Sequence, residues 1–257
     1  MASDDGYLLD NRQAAAGTRF TAMARLFDPV TLRHADRLGV VEGWRVWEVG
    51  AGGPTIPQAL AGRGAHVLAT DIDTSWLPAD APYEVRRHDV AADPPPDGPF
   101  DLVHARLVLV HVPARAAALA AMVSVLRPGG YLLVEDADPA LQPLACPDEH
   151  GPAQLLANRI RAGFRALMAQ RGADLAYGRT LPRVLRSAGL TDVAAEAFFP
   201  IGGPACAALE RATVEQIRAR LVEAALATDA ELDEYLANLD RLDLAPAPLI
   251  SAWGRRP

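Results

Sequence analysis

No lysine occurs anywhere in the 257 residues, and all 25 basic side chains are arginine. That absence removes the amine of a pyridoxal Schiff base, the lysine of a phosphate-binding P-loop and the lysine that a short-chain dehydrogenase sets beside its tyrosine. Cysteine is almost as scarce. Cys146 and Cys206 stand far apart, with no C-x-x-C and no histidine at metal-ligand spacing. Neither a disulfide framework nor a structural zinc site is therefore indicated, no metal is expected, and both thiols read as small apolar fillers. No apolar run approaches the ~18 residues of a membrane span, and the acidic start MASDDG leads into no signal-peptide core, so the chain reads as cytoplasmic without membrane contact. Excess positive charge is missing too. A formal charge of -7 argues against a surface built to neutralise nucleic-acid phosphates and favours a small-molecule partner. No low-complexity linker or internal repeat divides the chain, and half of its residues are hydrophobic, enough for a large core with an elaborated cap.

What the chain does have is a glycine-rich break after a short apolar run. Val46-Trp47-Glu48-Val49 runs into Gly50-Ala51-Gly52-Gly53 and then Pro54-Thr55-Ile56. This reads as a buried strand, a tight turn and a helix opening, because glycine adopts the turn dihedrals and lets a ligand approach bare backbone. A dinucleotide fingerprint G-x-G-x-x-G is incomplete here, since Thr55 occupies its last position. Pro54 suits the first helical residue, where its fixed φ is preorganised and its missing donor is not needed.

Helical spacing of apolar residues precedes the turn, with Leu8, Leu9, Phe20, Met23, Leu26 and Phe27, then Leu32 and Leu38 after Asp28-Pro29. It predicts two helices, with Tyr7, Asn11 and Arg19 as lid contacts or solvated positions. Beyond the turn, a helix to about Arg63 leads into Ala65 to Thr70, a strand closed by Asp71. That aspartate lies at the spacing from Gly52 where such folds set a carboxylate against a ribose. Asp73 reads as a helix cap with Thr74 and Ser75, and His66 as structural. Tyr83 to His88 reads as a third strand ending at Asp89-Val90, DPPPDGP over 93–99 as a rigid turn, and Phe100 to His104 as a fourth strand. After a helical run, Val125-Leu126-Arg127-Pro128-Gly129-Gly130-Tyr131-Leu132-Leu133-Val134 carries the fifth. Later stretches read as long helices near 152–170 and 204–242, with strands near 191–200 and 247–253.

Glu48-Val49-Gly50-Ala51-Gly52 resembles the motif E/D-x-G-x-G-x-G of class I S-adenosylmethionine-dependent methyltransferases, with Pro54 in place of the last glycine. FDLV followed by a helix and VLRPGGYLLVED is similar to the family's fourth and fifth strands. The resemblance implies an α/β fold: a Rossmann-like, doubly wound, seven-stranded sheet with its last strand antiparallel between its neighbours, plus N-terminal and inserted cap helices. Residues 1–40 would be a helical lid, and 41–257 a methyltransferase-like core with a helical insertion around 137–190. It implies S-adenosyl-L-methionine as cofactor, with S-adenosyl-L-homocysteine as product. Cofactor contacts would come from Glu48, Gly50, Ala51, Gly52, Asp71, Ile72, Asp89, Val90, His104 and Arg106, with Asp89 accepting from the adenine amino group. His104 and His111 are the candidate general bases for an acceptor that must lose a proton, while His111 before Val112-Pro113 serves equally well as a structural residue. Glu135, Asp136 and Asp138 form an acidic run that reads as a polar pocket wall or helix cap. The implied activity is methyl transfer to O, N or C of a small molecule, with specialised-metabolite biosynthesis as its setting and a homodimer allowed for. The alternative is a protein of the same fold that binds the cofactor without transferring methyl, as a cyclase-like enzyme or ligand-sensing module.

Overall fold

The computed structural model describes Leu8 and residues 15–257. The chain forms two compact units. One holds the described residues up to Leu26 with Asp138–Leu175 and Phe199–Pro248; the other holds Phe27–Ala137, Ala176–Phe198 and Leu249–Pro257. The second unit carries the sheet: β1 Arg45–Val49, β2 His66–Asp71, β3 Glu84–Arg87, β4 Phe100–Arg106, β5 Leu126–Ala137, β6 Thr191–Phe198 and β7 Leu249–Arg255. Their spatial order is β3-β2-β1-β4-β5-β7-β6. β1 to β5 pair in parallel, and β7 runs antiparallel to both β5 and β6. This is the seven-stranded arrangement expected from the resemblance.

The helices are α1 Ala15–Leu38, α2 Thr55–Ala61, α3 Arg115–Ser124, α4 Pro152–Gln170, α5 Leu181–Ser187, α6 Pro204–Glu223 and α7 Asp229–Asn238. Alternation along each strand sorts the core into two layers. Val46, Val67, Leu102 and Leu133 pack on one face against Ala35 of α1 and Ile56 and Leu60 of α2. Trp47, Val49, Val103, Leu132 and Val134 pack on the other against Ala118, Leu119 and Met122 of α3 and Leu181 and Leu185 of α5. The central strands are buried on both faces, which is why they read as continuous apolar runs. Trp47 is fully buried and its indole N–H donates to Thr70 Oγ1 at 2.9 Å, so burying the ring leaves no donor unmet.

Three expectations are corrected. Asp28-Pro29 does not divide two helices: α1 is continuous with Pro29 inside it. Proline costs a helix interior about 3 kcal/mol, and here the surrounding Phe27 and Val30 are buried and Asp28 is held by an arginine of β4, which together keep the turn helical. The units do not follow the 1–40 and 137–190 boundaries either. Residues from Phe27 onward go with the sheet, while α6 and α7 pack with α4. That helical unit has its own core of Ile160, Leu167, Ile217, Leu221, Leu232 and Tyr235. It also buries an ion pair between Arg161 and Glu210, with Tyr235 donating to Glu210 at 2.7 Å. Last, Asp73 caps no helix; it accepts from the Ser75 N–H at 3.0 Å within a turn. Of the N-terminal lid contacts, Tyr7 and Asn11 lie outside the described residues, and Arg19 is buried and donates to Gln216 at 3.0 Å.

Candidate cofactor site

β1 ends where glycine becomes necessary. Gly50 and Gly52 have φ of 61° and 62°, a region that costs an L-residue steric strain. At Gly50 a Cβ would lie 2.4 Å from Val108 Cγ2, so the loop passes closer to the segment after β4 than any side chain permits. The loop is tied to the end of β2: Ala51 N–H donates to Thr70 O at 2.9 Å and Gly52 N–H to Asp71 Oδ2 at 2.8 Å. Pro54 is the N-cap residue of α2 rather than its first helical residue, one place earlier than expected.

Asp71 closes β2 with a buried carboxylate. Its other oxygen accepts from Asp73 N–H at 3.0 Å, and each oxygen keeps a lone pair for a further donor. Burial pushes this carboxyl up from its ordinary value, against the pull of backbone hydrogen bonds from Asp73, Gly52 and Ile72. Ile72 follows with its side chain 55% exposed, an apolar surface beside a polar loop. His88 N–H donates to Asp71 O at 2.9 Å, which brings the exposed Asp89 and the buried Val90 to the same end of the sheet.

Beneath the loop lies a polar row on the α1 face of the sheet. Glu48 of β1 stands opposite His104 of β4, and Glu135 of β5 opposite Ser251 of β7. His104 Nδ1 lies 2.6 Å from Glu48 Oε2 and its Nε2 3.2 Å from Glu135 Oε2. Ser251 donates to Glu135 at 2.5 Å and Thr31 of α1 to the same carboxylate. Arg106 donates to Thr31 Oγ1 at 3.0 Å and Asp28 Oδ1 at 2.8 Å. Burial opposes charge on His104, yet the flanking carboxylates win and hold it up at about 9. Glu135 is likewise opposed by burial and held down at about 2 by His104, Arg106 and Ser251. A histidine with both nitrogens engaged by carboxylates has no lone pair to offer, so the base role expected of His104 is not kept. Glu48 and His104 are 3% and 1% exposed, so both lie within the sheet rather than on its open edge. Arg106 is turned to α1.

The acidic run on β5 is not one cluster. Glu135 and Asp136 are successive strand residues and face opposite layers, while Asp138 belongs to the helical unit, where its carboxylate accepts from Leu141 N–H at 2.8 Å. Asp136 is completely buried. The Leu109 and Val110 amides lie toward it without either forming a well-made hydrogen bond, and burial pushes it up to about 8 against their pull. Those amides belong to a 3-10 turn, Leu109–His111, entered through Leu107 at φ 58°. His111 ends that turn, half-buried, just past the carboxyl end of β4. A groove of about 540 Å³, lined among others by Arg45, His66, Tyr83, Glu84 and Phe100, lies at the opposite, amino ends of the strands and takes no part in this site.

Residues 47–134 match the family model described as methyltransferase domain. A ubiquinone biosynthesis O-methyltransferase of Marinobacter nauticus is 30% identical over 118 residues, covering 42% of this chain and 50% of its own. Methyltransferase str3 of Strobilurus tenacellus is 33% identical over 152 residues, covering 56% of this chain and 51% of its own. The chain thus spans about half the length of the curated relatives it matches. Phosphoethanolamine N-methyltransferase 2 of Haemonchus contortus, solved with phosphomonomethylethanolamine and S-adenosylhomocysteine, superposes with a TM-score of 0.60 at 18% identity, over 97% of this chain and 59% of that one. That last likeness is one of fold. Residues 47–134 thus match a methyltransferase domain, and the sheet they belong to has the class I methyltransferase fold.

Within that domain the glycine loop, Asp71, Ile72, Asp89 and Val90 come together at the carboxyl ends of β1 to β3. Sequence reasoning missed Asp28, Thr31 and Ser251, which complete the polar row beneath the glycine loop. Alternation along β7 offered a signal for Ser251 alone; Asp28 and Thr31 lie on α1, where no strand pattern reaches them. Among the described residues no group of three His, Cys, Asp or Glu side chains is arranged to hold a metal ion, and no helix is long and apolar enough to cross a membrane.

Proposed function

We propose that the protein is an S-adenosylmethionine-dependent methyltransferase acting on a small-molecule acceptor. The observation that carries this reading is the loop Gly50 to Gly53, left-handed at Gly50 and Gly52 and bonded to Asp71, inside a segment that matches the methyltransferase domain. The residues present fit the cofactor. Bare backbone at Gly50, Ala51 and Gly52 allows close approach, Asp71 retains acceptor capacity for ribose hydroxyls, Ile72 offers an apolar face for adenine, and Asp89 with Val90 would take the adenine edge.

The cofactor supplies a methyl group already activated on a sulfonium. What remains for the chain is to hold it, orient the acceptor and exclude water. His111 is the remaining candidate base for an acceptor that must lose a proton. The small-molecule acceptor and a biosynthetic setting are supported by the ubiquinone biosynthesis O-methyltransferases among the relatives, and the cytoplasm is the compartment we propose. Calorimetric titration tests the reading: S-adenosylmethionine and S-adenosylhomocysteine should bind and NAD should not. NAD binding without S-adenosyl binding would overturn it, and the masses of copurifying small molecules would identify the acceptor.

A further inference from the structure

His104 is a histidine without a base's freedom, and its surroundings assign it other work. Glu48 faces it from β1, Glu135 from β5, and Arg106 follows on its own strand; Asp28, Thr31 and His34 approach from α1, and Ser251 from β7. Two carboxylates on one ring require that ring to keep both protons, because a neutral imidazole has a single N–H and would turn a lone pair toward one carboxylate. Stability alone does not account for such a row. Desolvation cancels most of the attraction among buried ions, and apolar side chains of similar size hold a core equally well. What charged, doubly hydrogen-bonded groups supply is register, and this row joins four strands and α1 directly below the glycine loop, since Glu48 precedes Gly50 by two residues.

We propose that His104 is the positioning residue of the cofactor loop: as an imidazolium shared by Glu48 and Glu135, it fixes the carboxyl end of β1 against β4, β5 and α1. The loop is thereby held in its left-handed path before any ligand arrives. The proposal rests on the methyltransferase reading for what the loop receives, but not for the state of the ring.

Two measurements test it. In ¹⁵N-labelled wild-type protein without cofactor, both ring nitrogens of His104 should remain protonated from pH 6 to pH 8. His104→Gln should raise the dissociation constant for S-adenosylhomocysteine and the KM for S-adenosylmethionine on the order of tenfold, the loss of a charge-assisted hydrogen bond, while kcat at saturating cofactor changes far less. A purely structural residue would lower stability without separating KM from kcat. Should His104→Gln fail to fold, Thr31→Val, which removes one donor from Glu135, should weaken cofactor binding in the same sense. A neutral imidazole at pH 7, or variants that bind S-adenosylhomocysteine as wild type does, would overturn the proposal. Wild-type protein that does not bind S-adenosylhomocysteine would instead sink the methyltransferase reading, leaving the ring measurement to judge the clamp.

Discussion

The contact between Gly50 and Val108 permits a double-mutant cycle whose size follows from geometry. Gly50→Ala meets two penalties. An alanine at φ 61° costs about 1–2 kcal/mol for its left-handed backbone. Its Cβ would also lie 2.4 Å from Val108 Cγ2 and 3.4 Å from Cγ1, and relieving an overlap of that kind costs about 1–3 kcal/mol. Val108→Ala removes both methyl groups and leaves only Val108 Cβ at 3.5 Å, an ordinary contact. In that background Gly50→Ala should therefore lose the backbone part alone, a coupling of about 1–3 kcal/mol. Urea unfolding followed by tryptophan fluorescence gives the four stabilities, and titration with S-adenosylhomocysteine on the same proteins shows whether the loop keeps its shape. Equal costs of Gly50→Ala in the two backgrounds would refute the close approach of the loop to the segment after β4.

Asp71→Ala should weaken S-adenosylhomocysteine binding by roughly tenfold to a hundredfold, because it removes both the proposed acceptor for ribose and the anchor of Gly52; Asp73→Ala, which frees only a turn, should do far less by the same calorimetry. Asp136 has a folded pKa of about 8 against an ordinary 3.8, so the folded state holds the extra proton and stability should decline as pH rises between those values. Asp136→Asn should flatten that decline in chemical unfolding from pH 5 to pH 8, and an unchanged slope would assign it elsewhere. Burial pushes the Cys146 thiol up to about 11 and Cys206 up as well, so both should resist a disulfide reagent at pH 7 in native protein and react once it is unfolded.

The strands that form the cofactor end were legible because parallel strands buried on both faces are short apolar runs bounded by glycine, proline and acidic residues. β1, β2, β4 and β5 are all of this kind. α1 was misread because Pro29 ends most helices, and its tolerance here depends on tertiary contacts of Asp28 that no local rule contains. The polar row was hidden for a related reason. His104 meets Glu48 across 56 positions of sequence and Glu135 across 31, so the pairing exists only once strand order and register are set. Glu135 and Asp136 are the opposite case, since alternation alone tells that adjacent strand residues part to different layers. The membership of α6 was illegible because it buries Glu210, Thr213 and Gln216 along with its apolar side chains, which leaves no single apolar stripe to indicate a partner.

The insertion of β7 between β5 and β6 has a consequence for the order of folding. Among the described residues β6 has no neighbour in the sheet other than β7, which is made later, after α6 and α7. A growing chain that has reached Phe198 can pair five strands, while β6 has nothing to bond and β5 shows an open edge. Closing that edge requires a strand distant in sequence, the kind of contact that slows folding because its loop entropy is lost before the pairing is gained. Until Leu249–Arg255 arrives, the unpaired backbone of β5 is a template for the wrong partner, and it is this intermediate that a chaperone would have to shield.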